Sequence, residues 1–222
     1  TLLASSAASD VYKRQVEMYD CYTGFKWIAS VIRENEGKKQ YIGGGEESYG
    51  FLAEDFVRDK DAVSACSLLA EICAWAKDQG KTLFDVLMDI YVEYGFSLNH
   101  TVNVVKPGKT GADEIKQMMV NFRTNPPKEL AGSEVVLTKD YQSLKATDNK
   151  GNVTDIAQPA TSNVLQWYTA DGTKVSVRPS GTEPKIKFYI EVTGEMKCPK
   201  CYAEAEQKAM QTVEAVKVSL GL

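Results

Sequence analysis

Apolar positions recur with the spacing of an amphipathic helix in five segments of the chain. The predicted helices cover residues 23–37, 61–79, 82–94 and 112–122, and a C-terminal segment carrying Tyr202, Ala205, Ala209, Val213 and Val216. Thr82 and Asp85 have the spacing of a capping box, and Thr23 is a typical N-cap residue. Cys66 and Cys73 fall on the apolar stripe of the second helix, which predicts that both are core residues.

Alternation of apolar and polar positions replaces the helical pattern in much of the second half of the chain. Ile186, Phe188 and Ile190 alternate with Lys187, Tyr189 and Glu191, which is the period of a half-buried strand. Asp171-Gly172 is a two-residue hairpin signal between two strand-like runs. The predicted strands cover residues 40–42, 134–138, 164–169, 175–177 and 186–190.

These elements predict two structural units. The segment Lys106–Gly111 is rich in turn-forming residues and indicates a linker. We therefore expect an α/β unit over residues 16–108 and an α+β unit over residues 109–222, in which helices flank a small antiparallel sheet. Residues 1–15 are rich in Ala and Ser and lack the order of a signal peptide, so we interpret them as a disordered or non-native leader.

Composition narrows the class of protein. The 222 residues carry a net charge of −4, and phosphate-backbone binding needs a basic face, so we expect no nucleic-acid partner. No stretch approaches the roughly 20 apolar residues of a membrane span. Five cysteines are an odd number in a chain that can build a core, which argues against a disulfide framework and for a reducing, cytoplasmic location.

The segment Arg178–Lys185, with sequence RPSGTEPK, lies between two predicted strands. An Arg fork binds phosphate through two hydrogen bonds, and a glycine such as Gly181 lets a backbone N–H approach an anion closely. The alternative is an ordinary hairpin connection whose Arg178 and Lys185 are merely solvated. The chemistry of the segment alone leaves both interpretations open.

A glycine run and two carboxylates follow the first predicted strand, in the segment Gly43–Gly50. Carboxylates repel phosphate but accept hydrogen bonds from sugar hydroxyls, so a sugar-binding loop and an acidic surface turn are both possible. A glycosidase-like carboxylate pair is disfavoured, because neighbouring residues of an extended loop point opposite ways. Lys26 lies in the first turn of its helix, where the dipole disfavours a cation, so it either meets an anionic ligand or reaches into solvent.

Other candidates point to structural roles. Cys198 and Cys201 have the C-x-x-C spacing of redox and metal sites, but the chain supplies no second pair and a single histidine. That residue, His100, falls in a connecting region and is interpreted as structural. Asp59 and Asp61 have a D-x-D spacing at the start of a helix and are interpreted as N-capping. We therefore assign no metal site.

Three motifs, TGFKWI, GGGEESYGF and RPSGTEPKIKFYI, occur in this order and resemble the third- and fourth-domain signatures of the α-D-phosphohexomutases. The resemblance covers about residues 16–222. It implies part of an α/β domain with a mixed sheet and helices, followed by a C-terminal α+β domain with the shape of the TATA-binding protein.

The resemblance also implies a role for individual residues. In this family the GEES loop recognises the sugar, the RPSGTEPK loop grips the non-reacting phosphate, and TGFK carries a basic residue that reaches the substrate. Lys26 is thereby a candidate for proton transfer or phosphate contact. The implied substrate-binding residues are Gly45, Glu46, Ser48, Arg178, Ser180, Gly181, Thr182 and Lys185.

The implied activity is that of a phosphoglucomutase/phosphomannomutase-type isomerase. It interconverts hexose 1-phosphate and hexose 6-phosphate through a phosphoserine and hexose 1,6-bisphosphate, which also serves as activator, with Mg²⁺ as cofactor. The family's serine and metal loops are absent from this sequence. We therefore expect a fragment that supplies recognition, needs the missing N-terminal domains, and is inactive alone.

Two alternatives stay open. One is a related mutase acting on a pentose phosphate or an amino-sugar phosphate, although Glu47 favours plain hexoses. The other is a non-catalytic phosphosugar-binding module. Preference for glucose or mannose and the oligomeric state are not determined by the sequence.

Overall fold

The computed structural model describes residues 17–46, 50–181 and 183–222. The chain forms two compact units: Thr1–Gly95 with Lys197–Pro199, and Phe96–Met196 with Lys200–Leu222. The predicted leader, 1–15, lies outside the described residues. The predicted boundary at residue 108 falls at the start of a helix, and the strand before that helix pairs within the sheet of the second unit.

The first unit is an α/β arrangement with a very small sheet among its described residues. Its elements are α1 (Phe25–Asn35), β1 (Gly44–Gly45), β2 (Phe51–Leu52), α2 (Ala62–Asp78) and α3 (Leu83–Tyr94). The strands β1 and β2 are antiparallel, with Gly45 opposite Phe51. The strand predicted at 40–42 is therefore wrong, because the pairing with β2 selects the glycine segment that follows.

Local capping sets the helix boundaries of this unit. The Thr82–Asp85 capping box is confirmed: the Asp85 N–H donates to Thr82 Oγ1 over 3.2 Å, and the Thr82 N–H donates to Asp85 Oδ2 over 2.8 Å. Asp61 caps α2 by accepting from the Val63 N–H over 3.0 Å. The N-cap of α1 is Gly24, with φ 116°, so the assignment of Thr23 to that position is wrong.

The helices α2 and α3 bury little of their apolar surface. Ala76 is the buried residue of α2 and Met88 that of α3. Cys66 and Cys73 are exposed, so their prediction as core residues is wrong. The periodicity identified an apolar stripe correctly, but the described part of the unit supplies no layer that covers it.

The second unit is built on an antiparallel sheet. Its strands are β3 (Phe96–Val105), β4 (Glu129–Leu130), β5 (Ser133–Asp140), β6 (Lys145–Asp148), β7 (Val153–Asp155), β8 (Leu165–Thr169), β9 (Lys174–Pro179) and β10 (Lys185–Gly194), and its helices are α4 (Gly108–Thr124) and α5 (Tyr202–Leu220). The order across the sheet is β3-β10-β9-β8-β5-β6-β7, with β4 paired to β5. The four strands predicted in this half are confirmed.

Two features of the second unit differ from the sequence prediction. The strand β3 was not predicted, and it places His100 opposite Ile190 of the sheet instead of in a connection. The predicted linker is largely helical, because α4 already begins at Gly108 after the N-cap Pro107. Proline stops the strand and presets the first helical turn, so strand and helix follow each other directly.

Both long helices of this unit cover the same face of the sheet. Phe122 of α4 packs edge-on against Trp167 and Phe188, with ring centroids 5.2 and 6.1 Å apart. Tyr202 of α5 packs against Phe96, at 6.0 Å. Two helices on one face of an antiparallel sheet confirm the α+β class. None of the helices in the described ranges is long and apolar enough to cross a membrane.

The opposite face of the sheet is polar, yet much of it is buried. Gln166 links two neighbours: Tyr141 Oη donates to Gln166 Oε1 over 2.9 Å, and Gln166 Nε2 donates to Ser176 Oγ over 3.0 Å. Beside them the Lys174 ammonium lies 3.2 Å from Glu191 Oε2, with both side chains at most 10% exposed. Buried polar groups persist when they are paired, so this network fixes β8, β9 and β10 relative to one another.

Cys198 and Cys201 are disulfide-bonded at the short 3₁₀ turn Pro199–Cys201 that leads into α5. This bond was not predicted: the odd number of cysteines was taken to argue against a disulfide framework, and the C-x-x-C spacing was weighed only as a redox or metal pattern. Among the described residues the free cysteines are Cys21, Cys66 and Cys73.

Candidate functional site

The predicted phosphate loop connects β9 to β10 in the second unit. Arg178 on β9 lies directly opposite Lys187 on β10. Directly opposed side chains share a face of the sheet, with Cβ atoms about 5 Å apart. Two like charges at this separation destabilise the pair unless an anion joins them. The Arg178 guanidinium is half-buried and forms no hydrogen bond or ion pair with another described residue.

Hydrogen bonds within the loop hold its backbone in a tight turn. The Ser180 N–H donates to the Lys185 carbonyl over 2.8 Å, and the Lys185 N–H donates to the Glu183 carbonyl over 2.7 Å. Ser180 Oγ accepts from the Glu183 N–H over 3.3 Å. A Cβ at Gly181 would meet nothing within 4 Å, so no contact with the described residues requires glycine there. Thr182 lies outside the described residues.

A second cation beside Arg178 was not predicted from the sequence. Lys185, which was predicted, forms an ion pair with Glu183 and thereby lowers the pKa of that exposed carboxyl. Its charge is already partly matched. Lys187 is the cation that lies directly opposite Arg178 in the β9–β10 pair. The alternation of Ile186, Phe188 and Ile190 places Lys187 on the polar face and could have identified it.

The predicted sugar loop is a β-hairpin in the first unit. Its strands are β1 and β2, and the Glu46 N–H donates to the Gly50 carbonyl over 2.9 Å. Tyr41 Oη donates to the Leu52 carbonyl over 2.9 Å, and burial, with a smaller effect of Asp55, raises the pKa of Tyr41 to about 12. The loop tip, residues 47–49 including Ser48, lies outside the described residues.

A hydrogen bond joins two of the sequence motifs. Glu46 Oε1 accepts from the Gly24 N–H over 2.7 Å. Gly24 is the N-cap of α1 and has no side chain to cap it, so the Glu46 carboxylate supplies negative charge at the positive end of the helix dipole. The Glu46 carboxylate therefore fixes the turn that carries Lys26. The Lys26 side chain is exposed, with its ammonium 5.0 Å from the Trp27 ring centroid.

A second cation lies beside this hairpin and was also missed. The Lys60 ammonium is 5.4 Å from the Phe25 ring centroid and 3.0 Å from Asp59 Oδ1. Hydrogen bonding to Lys60 lowers the pKa of Asp59. Lys60 Cδ lies 3.5 Å from the position that a Cβ on Gly50 would take. Lys60 lies between Asp59 and Asp61, whose D-x-D spacing was interpreted as N-capping, so the lysine itself was not predicted.

A cavity of about 880 Å³ in the first unit is lined by Gly45 and Glu46 together with Thr23, Tyr22 and Ile32. Small-molecule pockets commonly measure about 300–1,000 Å³, so a sugar phosphate fits by volume. In the part of the chain that the structure describes, no group of three or more His, Cys, Asp or Glu side chains is placed to bind a metal ion.

Glycine at position 50 leaves room for the Glu46 carboxylate. A Cβ there would lie 2.9 Å from Glu46 Oε2 and 2.7 Å from Phe25 Cε2. We expect Gly50→Ala to displace Glu46 and break its bond to the Gly24 N–H. A hydrogen bond to a charged group contributes about 1.5 kcal/mol or more, so the Gly24 amide should exchange with solvent about tenfold faster, as measured by NMR.

The matched control is Gly43→Ala in the same hairpin. A Cβ at Gly43 comes no closer than 3.5 Å to its neighbours, which is ordinary contact. In Gly43→Ala the hydrogen-exchange rate of the Gly24 amide should equal that of the unsubstituted chain. Unchanged exchange in Gly50→Ala as well would contradict the assigned role of this glycine.

Comparison with known proteins agrees with this geometry. Residues 1–94 match the alpha/beta/alpha domain III of phosphoglucomutase/phosphomannomutase, and residues 119–216 match the C-terminal domain of the same proteins. The chain belongs to the phosphoglucomutase/phosphomannomutase family. The predicted family resemblance and fold class are thereby confirmed.

Curated relatives support the same assignment. The chain is 36% identical over 180 residues to a phosphoglucomutase of Staphylococcus haemolyticus, covering 81% of this chain and 33% of the relative. It is 39% identical over 184 residues to a phosphoglucomutase of Staphylococcus aureus strain MRSA252, covering 83% of this chain and 32% of the relative. The chain thus spans about a third of the length of these relatives.

A solved structure shows the same fold. The open form of the exocytosis-sensitive phosphoprotein pp63/parafusin, a phosphoglucomutase from Paramecium, matches with a TM-score of 0.56 and 15% identity, over 98% of this chain and 37% of that one.

Proposed function

We propose that the chain is the recognition part of a phosphohexomutase that interconverts hexose 1-phosphate and hexose 6-phosphate. The observation that carries the proposal is the pair Arg178 and Lys187, held side by side by the β9–β10 register with no described counter-ion on Arg178. Such a pair suits the dianionic phosphate of a sugar. The family to which the chain belongs agrees with this chemistry.

Each part of the substrate has a matching group in one of the two units. In the second unit, Arg178, Lys187 and the Ser180 hydroxyl would grip the phosphate that does not react. In the first unit, Glu46 and the residues of its hairpin would accept hydrogen bonds from sugar hydroxyls. A site that contacts only the phosphate group can bind either end of the bisphosphate. The intermediate can therefore turn around between the two transfer steps and still be held by the same site.

The chemical step would need groups that this sequence does not contain. A phosphoserine would donate the phosphoryl group, and Mg²⁺ would offset the charge that develops on it. Both would come from other domains of a longer, cytoplasmic polypeptide. We propose that Lys26 or Lys60, each with its ammonium beside an aromatic ring of α1 in the first unit, assists by proton transfer or by contact with the phosphate.

The proposal is tested by calorimetric titration of the purified chain with glucose 1,6-bisphosphate. We expect binding that Arg178→Ala weakens by about tenfold to a hundredfold, because the loss of a charged hydrogen-bond pair costs about 1.5–3 kcal/mol. Arg178→Lys keeps the charge but loses the fork and should fall in between.

Lys128→Ala is the control, since it removes an exposed positive charge elsewhere in the second unit. It should bind as the unsubstituted chain does. If Arg178→Ala binds as well as Lys128→Ala, the phosphate assignment of this loop is wrong. If no variant binds glucose 1,6-bisphosphate, Arg178→Ala should be introduced into the full-length enzyme. An unchanged KM for the hexose phosphate would then overturn the proposal.

A further inference from the structure

The cation pair Arg178 and Lys187 continues onto a third strand of the sheet. Lys187 lies directly opposite Arg178 in the β9–β10 pair and directly opposite Asn103 in the β10–β3 pair. Directly opposed side chains of antiparallel strands share a face of the sheet. The three side chains therefore form one row across β9, β10 and β3. Neighbouring strands are about 4.8 Å apart, so the row is roughly 10 Å wide.

Tyr189 and Thr101 form a second row beside the first. They are directly opposite each other, and they lie two residues from Lys187 and Asn103 along their strands. Residues two apart on a strand point to the same face. Diagonal neighbours on a sheet are within reach of aromatic and long side chains. The Tyr189 ring therefore borders the cation pair along β10, and the Asn103 amide borders it across β3.

These side chains differ from the rest of the polar face in having no internal partner. Farther along the face, Lys174 pairs with Glu191 inside the buried network. Tyr189 is half-buried and Asn103 is exposed, and neither side chain forms a hydrogen bond with another described residue. Tyrosine hydroxyls that are buried usually find a partner. Near the cation pair these polar groups are thus left for water or for a ligand.

The position of Asn103 relative to the predicted phosphate loop is fixed by the backbone. The pairing of β3 with β10 runs without a bulge from Phe96 to Val105. Just beyond the end of β3, the Lys106 N–H donates to the Pro184 carbonyl of that loop over 2.9 Å. Side chains on strands are positioned more precisely than side chains on loops. Asn103 therefore meets the requirement of a preorganised binding residue.

The groups beside the cation pair are neutral. Residues 96–105 contain no Asp, Glu, Lys or Arg. The Asn103 amide both donates and accepts hydrogen bonds, and so does a sugar hydroxyl. The Tyr189 ring offers an apolar face next to a polar hydroxyl, which suits a molecule with C–H groups on one side and hydroxyls at its edge. This surface therefore suits a neutral polyhydroxyl group attached to a phosphate.

We propose that Asn103 and Tyr189 contact the sugar attached to the phosphate that Arg178 and Lys187 bind. This inference rests on the proposed function of the cation pair. It adds that the second unit recognises a phosphate ester of a polyhydroxyl compound, and not phosphate alone. Asn103 is then a specificity-determining residue that lies outside all three sequence motifs.

The experiment is an NMR titration of the purified chain with glucose 6-phosphate and with methyl phosphate, two phosphate monoesters of which only the first carries a sugar. Asn103→Ala and Tyr189→Leu should each weaken glucose 6-phosphate binding about twofold to tenfold, as expected for one lost contact, and leave methyl phosphate binding unchanged. Arg178→Ala should weaken the binding of both ligands. The side-chain amide signal of Asn103 should shift with glucose 6-phosphate and not with methyl phosphate.

Asn99→Ala is the matched control. Asn99 is an exposed asparagine on the same strand, and it lies opposite Glu191 instead of a cation. It is four residues from Asn103, which is about 13 Å along a strand and on the same face. Asn99→Ala should bind both ligands as the unsubstituted chain does.

The outcomes separate this inference from the proposed function. If Arg178→Ala weakens both ligands while Asn103→Ala and Tyr189→Leu bind glucose 6-phosphate as Asn99→Ala does, the sugar contact is overturned and the phosphate assignment stands. If Arg178→Ala affects neither ligand, the phosphate assignment fails and the sugar contact fails with it. If the unsubstituted chain does not bind glucose 6-phosphate, the sugar contact is overturned, because all of its residues lie in the second unit. The phosphate assignment is then decided by Arg178→Ala in the full-length enzyme.

Discussion

Lys174→Met is expected to destabilise the second unit by about 3–5 kcal/mol. The Lys174 ammonium and Glu191 Oε2 are 3.2 Å apart, and the two side chains are 8% and 10% exposed. Removing the ammonium leaves the Glu191 carboxylate buried without its ion-pair partner. The free energy of unfolding should be measured from amide hydrogen exchange of peptides in β8, β9 and β10, which reports on this unit alone.

The double variant Lys174→Met/Glu191→Leu is the control for this prediction. Replacing a buried ion pair by apolar residues of similar volume is often neutral or stabilising. The double variant should therefore recover most of the lost stability. A single substitution that costs less than about 1 kcal/mol, as exposed pairs do, would show that water reaches the pair.

Gly111→Ala is expected to cost about 3 kcal/mol or more, at the upper end of the range for overpacking. A Cβ on this residue would lie 2.0 Å from the Lys106 carbonyl oxygen and 2.4 Å from its carbon. Both atoms belong to the backbone, so no side chain can rotate away. The start of α4 would have to move from the end of β3, where the Lys106 N–H donates to the Pro184 carbonyl over 2.9 Å.

The shift also affects the predicted phosphate loop, because Pro184 belongs to that loop. We expect faster hydrogen exchange at the Lys106 amide, besides the lower free energy of unfolding of the second unit. Gly194→Ala is the matched control, since a Cβ there has no neighbour within 4 Å. Equal stabilities of the two variants would contradict the steric argument.

Several features of the protein were fixed by short stretches of sequence. The Thr82–Asp85 capping box lies where it was predicted, because it depends on contacts between near neighbours. The alternation from Ile186 to Glu191 likewise places each side chain on its predicted face of β10. Asp171 and Gly172 do lie in the turn between β8 and β9, but the connection spans residues 170–173, so the predicted two-residue hairpin is wrong. The three motifs predicted the family, which the comparisons confirm. The individual roles of Arg178, Glu46 and Lys26 stay predictions.

Other features required the folded chain. The register of β9 and β10 sets Lys187 beside Arg178, and the bond from the Gly24 N–H to Glu46 joins residues 22 positions apart. Neither contact is encoded by local periodicity. Burial was the least predictable property, as the exposed Cys66 and Cys73 show. Periodicity tells which side of a helix is apolar, but burial also depends on whether a covering layer is present, and only tertiary structure decides that.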